Sequence, residues 1–97
     1  MKESIININF SNAVKQAERL DEVVSRLESA ASSLSGAMDT LDGFWKGASA
    51  EDYRSQGMDV HTLLQKDIKY IKKISKGIKA TAREYRKSEM AKLDEAK

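Results

Sequence analysis

The side chains able to do covalent or metal chemistry are few and poorly grouped. The chain has one histidine, His61, and no cysteine, which removes thiolate nucleophiles, disulfide frameworks and multi-histidine metal sites by counting. His61 has Asp59 nearby but no nucleophile held in a recognisable turn, and one histidine among scattered carboxylates is not a metal constellation. The acidic pairs Asp39 with Asp42 and Asp94 with Glu95 lack the spacing of a calcium loop. The sequence therefore predicts neither a catalytic site nor a cofactor. What remains is recognition chemistry. The chain's one tryptophan, Trp45, stands between two glycines in Gly43-Phe44-Trp45-Lys46-Gly47, and Tyr85 and Glu89 stand four residues apart.

Such groups need elements to position them, and the composition points to helices. In 97 residues there are no prolines and five glycines, too few turn formers for a small barrel or sandwich. From Phe10, apolar or small residues recur at Ala13, Ala17, Leu20, Val24, Leu27, Ala31, Leu34, Met38 and Leu41, alternating steps of three and four. This heptad stripe predicts one long amphipathic helix over about 11–41, capped by Asn9 or Ser11. The pattern breaks over 42–48, the expected turn. A second helix is expected over about 49–90, with Ser49 as its cap and Asp52 completing a capping box. Its stripe reads Ala50, Tyr53, Gly57, Val60, Leu64, Ile68, Ile71, Ile74, Ile78, Ala82 and Tyr85.

Two helices joined by a short turn make an antiparallel hairpin, a single all-α domain over 1–97, in which Phe10 should lie level with Ala80. At 1.5 Å per residue, helices of about 31 and 40 residues span roughly 46 and 60 Å, so the second should overhang the first from about Arg83. Ile5, Ile6, Ile8 and Phe10 could fold back over that overhang. Whether 88–97 continues the helix or frays is open. Leu20, Val24, Leu27, Leu34, Leu64, Ile68, Ile71 and Ile78 form the expected seam of hairpin and dimer. Val23, Met58, Leu63 and Tyr70 widen the stripes beyond what one partner helix covers, which predicts a four-helix bundle built from two chains.

Charge is uneven along the chain. Up to Lys46 there are five basic and seven acidic residues; beyond it there are twelve and eight. Lys66, Lys69, Lys73, Lys76, Lys79, Arg83 and Arg86 make a basic stripe with Lys72 and Lys87 beside it. A solvated face is the plain reading, with an acidic partner or an anionic membrane surface as alternatives. Nucleic acid is not expected, because no aromatics interleave the stripe. Asp39 and Asp42 oppose the helix dipole where they stand, which suggests a partner's basic side chain. No apolar run approaches a membrane span, and Met1 to Phe10 does not form a signal-peptide core; export, if it occurs, would not follow the general signal-peptide route.

Trp45-Lys46-Gly47 in the turn, with Tyr85-Arg86-Lys87-Ser88-Glu89 near the end of the second helix, resembles the two marks of the WXG family. These are the WXG-hundred or ESAT-six-like proteins exported by bacterial type VII (ESX) secretion systems. The resemblance covers about residues 5 to 92. It implies a hairpin that dimerises with itself or with a related chain and is exported folded by the secretion ATPase, as an effector or as a carrier for another substrate. A different role it leaves open is an intracellular adaptor that pairs with the helical N-terminal domain of a larger toxin. Trp45, Gly47, Tyr85 and Glu89 are then the expected export signal, made composite if an antiparallel dimer sets the turn of one chain beside the free helix ends of the other.

Overall fold

The computed structural model describes residues 2–96. It contains two helices, α1 (Lys2–Phe44) and α2 (Ala48–Ala96), arranged as an all-α helical hairpin. Both run further than their heptad stripes suggest. α1 begins well before residue 11, because burial of Ile6 outweighs the poor helix propensity of the asparagines around it. α2 continues past residue 90, with Met90 and Leu93 half-buried. Asn9 and Ser11 are thus interior helical residues rather than caps.

The connection is short. The Trp45 amide donates to the Leu41 carbonyl at 2.8 Å, adding a last turn to α1. The Lys46 ammonium donates to the Asp42 carbonyl at 2.5 Å, satisfying one of the carbonyls a helix end leaves unpaired. Gly47 then reverses the chain at a φ of 110°, in the region that a Cβ disfavours. The Glu51 amide donates to the Gly47 carbonyl at 3.1 Å, so Gly47 occupies the position of the cap expected at Ser49. Ser49 lies inside the first turn, since the reversal leaves no residue between Gly47 and the helix for it to cap.

The expected single hairpin domain is made of two compact units. One takes the described residues through Glu22 together with those from Ile71 onward; the other is Val23–Tyr70. In the first, Ile6, Ala17, Ser75 and Ala82 are buried, flanked by half-buried Phe10, Leu20, Ile71 and Ile78. In the second, Val24, Ala31, Ala50 and Ile68 are buried, with Leu27, Leu34, Met38 and Leu64 half-buried around them. Alanine at so many buried places lets the two helices approach closely. Gly57 serves the same end: a Cβ there would lie 2.7 Å from the Met38 sulfur.

The facing stripe of α2 differs from the one expected. Tyr53, Val60 and Ile74 are exposed. Their places against α1 are taken by Arg54 and His61, which are half-buried, and by Ser75, which is buried. α2 carries apolar residues on two adjacent heptad stripes, and spacing alone does not say which one turns to the hairpin partner. Phe10 is level with Arg86, whose guanidinium carbon sits 4.9 Å from the ring centroid, not with Ala80. The cause is that the reversal falls at Gly47, beyond Trp45.

Candidate recognition site

Around the turn, in the Val23–Tyr70 unit, Trp45 and Tyr53 come together at the surface, and Phe44 precedes Trp45 in the chain. The Trp45 and Tyr53 ring centroids are 5.3 Å apart at an interplanar angle of 31°, within the range where offset aromatic pairs attract. Trp45 nevertheless keeps 36% of its surface exposed, and Phe44 keeps 72%. Trp45 is a surface ring braced by a tyrosine rather than a plug in a core. Arg54 forms an ion pair with Asp42 within the chain, which answers the acid at this helix end without a partner's base.

In the other unit, Tyr85 is half-buried and its hydroxyl accepts a hydrogen bond from the Asn9 amide nitrogen at 3.0 Å. That bond fixes where the phenol points. Glu89, one helical turn on, shares its face and is also half-buried. Both line an open groove of about 400 Å³ whose other walls include Ile5, Ile6, Lys92 and Leu93. Lys92 lies 3.4 Å from the Glu89 carboxylate. The overhang expected from Arg83 onward is thus accompanied by α1, because α1 reaches back to Lys2. Ile5 and Ile6 line it as part of a helix instead of folding back over it.

Trp45 and Gly47 belong to one unit, and Tyr85 and Glu89 to the other. All the seam residues inferred from periodicity, Leu20, Val24, Leu27, Leu34, Leu64, Ile68, Ile71 and Ile78, are buried or half-buried. Sequence reasoning missed a polar cluster within that seam. The buried Ser75 hydroxyl lies 2.6 Å from Asp21 Oδ1 and 3.2 Å from the Ala17 carbonyl. Lys79 reaches Asp21 Oδ2 at 2.7 Å. The Lys79 hydrogen bond, followed by the Ser75 hydrogen bond and the lysine's charge, lowers the Asp21 pKa, and partial desolvation opposes them. Lys79 is therefore part of this cluster and Arg86 stacks on Phe10, whereas Lys66, Lys69, Lys73, Lys76 and Arg83 of the basic stripe are exposed.

The two surfaces are an exposed aromatic turn and a tyrosine with a carboxylate beside an open groove. Among the described residues no group of His, Asp or Glu is arranged to hold a metal ion, and no helix is long and apolar enough to cross a membrane. No curated protein and no solved structure matches the chain. One family does, described as proteins of 100 residues with WXG, over residues 5–90. That span takes in both Trp45-Lys46-Gly47 and Tyr85 to Glu89, and most of each helix. The chain accordingly belongs to the WXG family, the family of type VII secretion substrates.

Proposed function

We propose that this protein is exported through a bacterial type VII secretion system as a dimer, as an effector or as a carrier for a co-secreted chain. The observation that carries this reading is the exposed aromatic turn. A tryptophan left 36% exposed beside a phenylalanine left 72% exposed loses burial free energy that a merely structural turn would retain, and a receptor pocket would recover it. Tyr85 and Glu89 supply the second part of the signal. The phenol is oriented by Asn9 and the carboxylate stands one turn further along the same face.

In this reading the export ATPase binds the turn of one chain and the tail of its partner together, so that only a folded and paired substrate is accepted. The test is export from cells carrying the secretion system, comparing the wild type with Trp45→Ala, Tyr85→Ala and Glu89→Ala, each checked for unchanged helicity. Each substitution should abolish export without lowering the intracellular level of the protein. Normal export of all the variants would refute the composite signal.

A further inference from the structure

Two methionines, Met38 and Met58, and the one histidine of the chain line the same open groove of about 340 Å³, wholly within the Val23–Tyr70 unit. Met38 comes from α1 and is half-buried. Met58 and His61 come from α2, three residues apart, and so share a face. Gly57 lets the third donor cross from α1: the Met38 sulfur comes so close to α2 that a Cβ at Gly57 would lie 2.7 Å from it. His61 is one helical turn beyond Gly57. Cβ positions four residues apart on a helix are about 5–6 Å from each other, which leaves the Met38 sulfur and the imidazole within reach of one bridging ion. Met58 is 69% exposed, and an unbranched thioether with three rotatable bonds swings toward such an ion at little cost.

We propose that this groove binds one copper(I) ion through the Met38 and Met58 sulfurs and an imidazole nitrogen of His61. The donor types select the metal. Thioethers are soft ligands that favour copper(I), whereas magnesium and calcium take oxygen. Structural zinc sites are built from several thiolates and imidazoles, of which this groove supplies a single imidazole. The charges agree with a monovalent ion. Asp39, Asp42 and Arg54 line the groove as well, and Arg54 is paired with Asp42, so the Asp39 carboxylate is left to balance one positive charge. A search for histidines and acids passes over this arrangement, because Met38 reads as one more apolar step in the stripe of α1 and thioethers carry no charge.

The proposal does not depend on the export reading and is tested without it. The purified chain, titrated anaerobically with the copper(I)–acetonitrile complex in a calorimeter, should bind one equivalent. Met38→Leu, Met58→Leu and His61→Leu, each checked for unchanged helicity, should each weaken binding at least about tenfold. Leucine keeps nearly the volume of methionine while removing the sulfur. Met90→Leu, a control elsewhere on α2, should bind as the wild type does. Silver(I), a redox-inert ion of the same soft class, should compete with copper(I) and shift the methyl NMR signals of Met38 and Met58 but not that of Met90. Zinc(II) should not compete. Failure to bind copper(I), wild-type affinity in any of the three donor variants, an equal loss in Met90→Leu, or displacement by zinc(II) would each overturn the site. Should Met38→Leu disturb the hairpin, Met58→Leu still decides, because substituting an exposed side chain changes only solvated surface.

Discussion

The Ser75 hydroxyl, buried in the seam between the helices, stands 2.6 Å from Asp21 Oδ1, and this contact ties the register of α2 to that of α1. An all-apolar seam can slide by a heptad at modest cost, since one leucine replaces another. A hydroxyl that must meet a carboxylate cannot, because slippage would bury an unsatisfied polar group. Lys79 closes the cluster from the solvent side at 2.7 Å. Ser75→Ala should keep the fold while loosening this constraint. It should also move the Asp21 titration, followed by carboxyl NMR, back toward the ordinary carboxylate value, with Lys79→Ala moving it further because the lysine is the larger influence.

The same cluster makes stability pH-dependent in a defined direction. The Asp21 pKa is lower in the folded protein than its ordinary value of 3.8, so the unfolded chain binds a proton more readily than the folded one. The stabilisation is therefore fully present above that ordinary value and is lost as pH falls through the lower, folded one. Asp21→Asn should lower the melting temperature at neutral pH and narrow its gap to the wild type in acid. A gap that stays constant from pH 7 to pH 2 would show that the carboxylate charge contributes nothing.

Two glycines should respond oppositely to the same substitution. Gly47 holds a φ of 110° at the reversal, so Gly47→Ala places a Cβ in a disfavoured backbone conformation and should cost about 1–2 kcal/mol. Gly36 lies inside α1, and a Cβ there would meet nothing within 4 Å. Gly36→Ala should instead stabilise by about 0.5–1 kcal/mol. Thermal unfolding of the two variants side by side is the check, and equal shifts would refute the account of the turn.

Periodicity made much of this architecture legible. The heptad run from Ala13 to Leu41 corresponds to the inward face of α1, because a long alternation of steps of three and four admits only a helix with one apolar side. Trp45 and Gly47 were readable as a turn because they interrupt that alternation. α2 was less legible, since Tyr53, Val60 and Ile74 look like seam residues until the helix is rotated onto the stripe that holds Ser75. Helix ends escaped for another reason. Ile6 becomes helical by packing, a tertiary effect that local propensity does not register. The Asn9 to Tyr85 hydrogen bond and the Asp21, Ser75 and Lys79 cluster join residues far apart in sequence, and no local pattern announces them.

The assignment of the facing stripe can be tested through stability. Ile68 is buried at 4% exposure while Met58, on the same helix and in the same unit, is 69% exposed. Truncating a buried isoleucine to alanine removes its transfer free energy and leaves a cavity, so Ile68→Ala should cost about 2–5 kcal/mol. Met58→Ala changes only solvated surface and should stay within about 0.5 kcal/mol. Because α2 is apolar on adjacent stripes, a helix rotated by one stripe would narrow this contrast. Denaturant unfolding of both variants therefore reports directly on which side of α2 meets α1.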